Sequence, residues 1–156
     1  MVKYDGFSIV FQEVPNETSL AFNITDCQHR CVGCHSPWLR DDYGHPLLHD
    51  LPIILEYYQA LVTCICFMGE GNDPKDLAQC VHLAHDCGFK TCVYSGDTEN
   101  HWNLYHSTYF KYGPYIKEQG ALDDPNTNQR FFDYSNPNDP QDKTYLFWRM
   151  KDICES

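Results

Sequence analysis

Three cysteines lie within eight residues of the segment TDCQHRCVGCHSPW, residues 25–38: Cys27, Cys31 and Cys34. Thiolate favours zinc, copper(I) and iron–sulfur clusters, so three thiols on one loop can hold one compact metal centre. A structural zinc site normally has two separated pairs of ligands, and this chain has no second C-x2-C pair. The C-x3-C-x2-C spacing therefore predicts a metal centre that lacks a fourth protein ligand.

A fourth ligand could come from a neighbouring histidine or from another cysteine. His35 follows Cys34 directly, but adjacent residues of a loop usually point apart, and we interpret His35 and His29 as bystanders to the metal. A ferredoxin-type cluster would need another cysteine close to the triplet, and the other six cysteines lie further along the chain. One open coordination position is typical of a catalytic metal centre.

The length and the charge of the chain restrict its class. A chain of 156 residues, 42% of them hydrophobic, suits one domain with one core. The formal charge of −11 argues against nucleic acid or an anionic membrane as the main partner, since both attract a basic face. No apolar run reaches the length of a membrane span, and the N-terminus lacks the apolar core of a signal peptide. We therefore expect a cytoplasmic protein, where clustered cysteines indicate metal or redox chemistry.

Strand and helix patterns alternate along the chain. Short apolar or β-branched runs predict strands at 18–24, 61–67, 90–95 and 108–112. Apolar residues at helical spacing predict a helix with Asp50 as N-cap, a second helix between Asp73 and Gly88, and a third over 98–107. This alternation predicts a parallel sheet with right-handed crossovers.

The loops that follow the predicted strands carry the unusual residues. The carboxyl ends of parallel strands meet at one edge of a sheet, where ligands bind. The loops are the cysteine loop, MGEGND (68–73), SGD (95–97) and GPY (113–115). We expect the four loops to lie together.

At these residues the chain resembles a known family. The triplet directly after a first strand is similar to the cluster loop of radical S-adenosylmethionine (SAM) enzymes. Its C-x-G-C ending, CVGC at 31–34 followed by Trp38, resembles the activating proteins of anaerobic ribonucleotide reductase. Gly69-Glu70 resembles the end of the glycine-glycine-acid motif that meets the SAM amino group, with Met68 in place of the first glycine. Ser95-Gly96, Tyr112–Tyr115 and Asn128–Arg130 resemble three further segments, so that the resemblance covers about residues 5–132.

The resemblance implies a fold and a division of the chain. The family fold is a partial, incomplete TIM-type β/α barrel with a parallel sheet. Residues 1–135 would form the radical SAM domain and residues 136–156 a C-terminal tail of unknown role. Residues 136–142 are typical of a linker, and TYLFWRM at 144–150 fits a docking helix, a strand or a partner-binding tail.

The resemblance also implies the chemistry. Cys27, Cys31 and Cys34 would each bind one iron of a [4Fe-4S] cluster, and SAM would chelate the fourth iron. Reductive cleavage of SAM would give a 5′-deoxyadenosyl radical, which abstracts a hydrogen atom from a glycine of the anaerobic ribonucleoside-triphosphate reductase. A flavodoxin-like protein would supply the electron. The protein would position the cofactors and exclude water and oxygen.

Several other residues are implied to contact SAM. Glu70 would receive its ammonium group in a charge-assisted contact, although a solvated loop acid is the plain alternative. Gly69 and Gly71 would let the protein backbone approach SAM closely, and the backbone of Gly33 and His35 would line the SAM site. Asn72 and Ser95 would contact the methionine or ribose of SAM, although turn and capping roles explain them as well.

Two alternatives remain open. The first is an activase of another glycyl radical enzyme, such as the pyruvate formate-lyase type, whose members usually carry an aromatic residue at the position of Gly33 and are longer. The second is a small zinc or iron–sulfur module without catalysis, which would need a fourth protein ligand.

Overall fold

The computed structural model describes residues 1–29 and 36–148, and within these ranges eight strands form one sheet. The strands are β1 (Lys3–Val10), β2 (Ser19–Ile24), β3 (His45–Pro46), β4 (Cys64–Met68), β5 (Lys90–Tyr94), β6 (Tyr109–Tyr112), β7 (Arg130–Asp133) and β8 (Gln141–Asp142). Their order across the sheet is β3-β1-β2-β4-β5-β6-β7-β8.

The four central strands, β2, β4, β5 and β6, run parallel to one another. Each overlaps a strand that the apolar runs predict. Both faces of these strands are covered, since Phe67 belongs to the core on one face and its neighbour Cys66 to the core on the other. Burial on both faces explains why their sequences are apolar without alternation.

Two α-helices, α1 (Leu47–Tyr58) and α2 (Pro74–Asp86), cover one face of the sheet. In α2 the side chain of Asp73 accepts a hydrogen bond from the backbone N–H of Asp76 at 3.2 Å, which confirms the predicted N-cap. The predicted start of α1 is wrong, because α1 begins at Leu47 and Asp50 lies in its first turn. Leu47 is fully buried, and this burial favours the earlier start.

The prediction of a partial TIM-type β/α barrel with a parallel sheet is wrong. The sheet is mixed, because β1 pairs antiparallel with β2 and β3, and β7 pairs antiparallel with β6 and β8. The described residues contain only two α-helices of eight or more residues. The outer strands β1, β3, β7 and β8 extend the sheet at both sides. Because they pair antiparallel, no crossover helix is needed to connect them.

The third predicted helix, over 98–107, is absent from the described structure, where a short 3-10 helix, Trp102–Leu104, takes its place. In this segment, side-chain oxygens accept hydrogen bonds from backbone N–H groups. Oδ1 of Asp97 accepts from the N–H of Glu99 at 3.3 Å, and Oδ1 of Asn100 accepts from the N–H of Trp102 at 3.0 Å. Such local hydrogen bonds compete with the helical pattern.

The second face of the sheet carries its own core. Cys64, Cys66 and Cys92 are fully buried there beside Phe131 and Phe147, whose ring centroids lie 5.1 Å apart. Burial raises the pKa of the Cys64 and Cys92 thiols well above the ordinary value. The aromatic segment after β8 thus packs against the sheet over its described part, and residues 149–156 lie outside the described ranges. The division at residue 135 stays a prediction.

No helix in residues 1–29 and 36–148 is long and apolar enough to cross a membrane.

The core on the helical face can be tested at Phe67. We expect Phe67→Ala to lower the free energy of unfolding by about 3–5 kcal/mol, because it removes a fully buried ring that stacks on Phe22. Phe11→Ala is the matched control, since Phe11 is 68% exposed, and it should change stability by less than about 0.5 kcal/mol. Urea unfolding followed by circular dichroism measures both variants. Similar losses for the two variants would contradict this packing.

Candidate functional site

The four loops that follow β2, β4, β5 and β6 lie along one edge of the sheet, which we call the rim. The rim consists of residues 25–29, 69–73, 95–97 and 113–115. It follows directly from the parallel pairing of the four strands. Hydrogen bonds and close contacts join each loop to its neighbour.

Glu70 is the hub of the rim. Its Oε2 accepts a hydrogen bond from the hydroxyl of Ser95 at 2.7 Å. Its Oε1 accepts from the hydroxyl of Tyr105 at 2.7 Å and lies 2.5 Å from Nε2 of His101. The Glu70 side chain is 16% exposed, so these donors replace most of the water that a carboxylate needs.

Tyr105 is fully buried, and its phenol is held in the neutral form. Burial raises the pKa of this phenol strongly, and the hydrogen bond to Glu70 raises it further. A neutral hydroxyl is a donor, so Tyr105 remains a hydrogen-bond donor to Glu70 throughout the range of ordinary pH.

His101 lies between two carboxylates. While Nε2 faces Glu70, Nδ1 lies 3.6 Å from Oδ2 of Asp97. The backbone N–H of Glu99 holds the pKa of the Asp97 carboxyl below its ordinary value, although burial opposes this. The imidazole also packs edge-on against the ring of Phe110, at 5.4 Å between centroids. The position of His101 is therefore determined on three sides.

Ser95, His101 and Asp97 stand in the order of a nucleophile, a base and an orienting acid, but the contacts do not support nucleophilic catalysis. Oγ of Ser95 lies 3.4 Å from Nε2 of His101, while it donates to Glu70 and accepts from the N–H of Asp97 at 3.0 Å. Ser95 is also 1% exposed. Its hydroxyl therefore serves the network and offers no free nucleophile.

Lys111 connects the loops after β5 and β6. Its buried ammonium group donates to the carbonyl oxygens of Ser95 at 3.1 Å and of Gly113 at 2.8 Å. The N–H of Gly113 donates to the carbonyl of Asp97 at 2.7 Å. These bonds join SGD to GPY, as the parallel sheet predicts.

Gly69 and Gly71 both have positive φ angles, +122° and +66°. A Cβ at Gly71 would lie 3.1 Å from Cγ2 of Ile24, so the loop passes close to the end of β2. Both glycines thus have a structural reason to be there, whether or not a ligand approaches them.

Asn72 links this loop to the cysteine loop. Its Nδ2 donates to Oδ2 of Asp26 at 2.8 Å, and Asp26 has a positive φ of 56° directly before Cys27. The N–H of Cys27 donates to the carbonyl of Leu39 at 2.9 Å. These contacts hold the first cysteine of the triplet beside the Glu70 loop.

His29 connects the cysteine loop to the SGD loop. A Cβ at Gly96 would lie 2.8 Å from Cδ2 of the His29 ring, so only glycine leaves room for the imidazole there. His29 is half-buried, and its interpretation as a bystander to the metal stays a prediction. Cys31, Gly33, Cys34 and His35 lie outside the described residues.

Sequence reasoning misses His101 and Tyr105, which complete the Glu70 network. Both lie in the segment predicted as a helix, 98–107. Their contacts with Glu70 are tertiary, and no local pattern in the sequence signals them.

Within residues 1–29 and 36–148, no three His, Cys, Asp or Glu side chains are grouped so as to hold a metal ion. The cysteine triplet extends beyond those ranges. Neither a family model nor a curated protein nor a solved structure matches this chain. The resemblance to radical SAM activases therefore depends on the sequence motifs alone.

The lowered pKa of Asp97 predicts a pH dependence of stability. The charged carboxylate contributes stability above the ordinary carboxyl pKa of about 4, and this contribution is lost as the pH falls through the lower pKa of the folded state. We expect wild type to lose more stability than Asp97→Asn between neutral pH and about pH 3. Urea unfolding across this range measures the difference, with Asp123→Asn on an exposed turn as control. Parallel curves for wild type and Asp97→Asn would contradict this assignment.

Proposed function

We propose that this chain is a radical SAM activase that generates the glycyl radical of anaerobic ribonucleotide reductase. One observation carries the proposal. The hydrogen bond from Asn72 to Asp26, at 2.8 Å, joins the start of the cysteine loop to the loop of Glu70. Cluster ligands and a carboxylate for an ammonium group are thus expected at one edge of the sheet.

The donor set fits an iron–sulfur cluster. Cys27, Cys31 and Cys34 supply three thiols in one loop, and thiolates are the usual ligands of such clusters. The Cys27 side chain is half-buried at the start of this loop, which suits a metal ligand. Three cysteine ligands would leave one iron for the amino and carboxylate groups of SAM.

The Glu70 loop fits the amino group of SAM. A carboxylate accepts about four hydrogen bonds, and three donors to Glu70 are described, so acceptor capacity remains for an ammonium group. Gly69 and Gly71 keep side chains away from this loop. Asn72 and Ser95 bond to Asp26 and Glu70, so their role in this proposal is to hold those two acids in place. Backbone contacts from Gly33 and His35 stay a prediction.

When bound, the cluster and SAM supply reductive C–S cleavage and hydrogen-atom abstraction. The protein binds and orients them at the rim, and the rim must also admit a glycine of the reductase. The formal charge of −11 favours a basic docking face on that partner and on a flavodoxin-like electron donor. A cytoplasmic location agrees with the reducing conditions that free thiols need.

The cluster is tested by anaerobic reconstitution with iron and sulfide. We expect wild type to bind a cluster with charge-transfer absorption and, with SAM and a reductant, to release 5′-deoxyadenosine. Cys27→Ser, Cys31→Ser and Cys34→Ser should each lose both signals, because each removes one ligand. Cys87→Ser, at the end of α2, is the matched control and should keep both. Cluster formation without 5′-deoxyadenosine would favour the non-catalytic module.

The partner is tested by electron paramagnetic resonance. The activated protein is mixed with anaerobic ribonucleotide reductase, and we expect the doublet of a glycyl radical on the reductase. A reductase whose radical glycine is replaced by alanine is the control. A doublet on pyruvate formate-lyase alone would point to the activase of another glycyl radical enzyme.

A further inference from the structure

The hydrogen bonds of Glu70 are distributed unevenly between its two oxygens. Among the described residues, Oε1 has two donors, the Tyr105 hydroxyl and the His101 ring, whereas Oε2 has one, the Ser95 hydroxyl. Each carboxylate oxygen accepts about two hydrogen bonds. The acceptor capacity of Oε1 is therefore used, and what remains is on Oε2.

We propose that His101 is a positioning residue for ligand binding, which together with Tyr105 holds Oε1 of Glu70 so that Oε2 receives the ammonium group of the ligand. This inference rests on the proposed function, because it takes the amino group of SAM as the occupant of that position.

The surroundings of His101 are suited to this task. Asp97 faces its Nδ1 at 3.6 Å, Glu70 faces its Nε2 at 2.5 Å, and the ring of Phe110 packs against the imidazole. The imidazole is 22% exposed, so it has little freedom to leave this position. Because His101 is held on three sides, its hydrogen bond also holds Oε1 of Glu70. This lowers the entropy cost of ordering Glu70 when a ligand binds.

Tyr105 adds the second constraint from the same connection between β5 and β6. It is fully buried and its neutral hydroxyl donates at 2.7 Å. Two donors on one oxygen prevent the carboxylate from rotating to present that oxygen to the ligand. The connection between β5 and β6, which contains the 3-10 helix, thus sets which atom of Glu70 recognises the ligand.

The test compares two probes that differ in the amino acid portion. S-adenosylhomocysteine carries the amino group, whereas 5′-methylthioadenosine lacks the whole amino acid. Equilibrium binding of both is measured on the anaerobically reconstituted protein without reductant. The variants are His101→Leu, His101→Gln, Tyr105→Phe, Glu70→Gln and the double variant Glu70→Gln/His101→Leu. His82→Leu, on the exposed side of α2, is the matched control.

We expect His101→Leu to lower the binding affinity for S-adenosylhomocysteine about tenfold. The affinity for 5′-methylthioadenosine should fall by less than about twofold, since only S-adenosylhomocysteine carries the amino group that reaches Glu70. His101→Gln keeps a donor and should recover most of the loss. In the Glu70→Gln background, His101→Leu should have no further effect, because the residue acts through Glu70. His82→Leu should bind both probes as wild type does.

Equal losses for both probes, or additive losses in the double variant, would show a merely structural role and overturn the inference. If Glu70→Gln weakens the binding of S-adenosylhomocysteine but His101→Leu does not, this inference fails and the proposed function stands. If Glu70→Gln has no effect either, the proposed ammonium contact of Glu70 fails and the inference fails with it. If His101→Leu does not fold, Tyr105→Phe replaces it in the comparison of the two probes, because this change removes only a hydroxyl.

Discussion

The parallel pairing of β2, β4, β5 and β6 is the constraint on which the rest of the structure depends. It brings loops that are distant in the sequence to one edge, because strands that point the same way end at the same side. The apolar cores on both faces hold this pairing. Only then can the backbone and side-chain bonds of Asn72, Lys111 and Glu70 join one loop to the next.

A carboxylate that is mostly removed from water must find donors, and Glu70 finds them in two separate parts of the chain. Ser95 directly follows β5, and His101 and Tyr105 flank a 3-10 helix. The desolvation of one acid therefore orders the whole connection between β5 and β6. Residues on both sides of the 3-10 helix are thus tied to the loop after β4 through one carboxylate.

The patterns in the sequence predict the centre of the fold and miss its sides. The four parallel strands, α2 with its cap at Asp73 and the meeting of the loops are all predicted, because burial on both faces and capping leave clear local signals. The outer strands β3 and β8 are two residues each, too short for any periodicity. His101 and Tyr105 escape because their role comes from a tertiary contact with Glu70, and no local pattern encodes it.

The buried thiols on the two faces of the sheet differ in reactivity from a cysteine exposed to water. Cys64 and Cys92 carry pKa values well above the ordinary value because they are buried, and burial raises that of Cys80 to about 12. Metal capture and alkylation both require the thiolate. These three buried thiols therefore stay protonated at neutral pH, where they neither bind a metal readily nor react with an alkylating reagent.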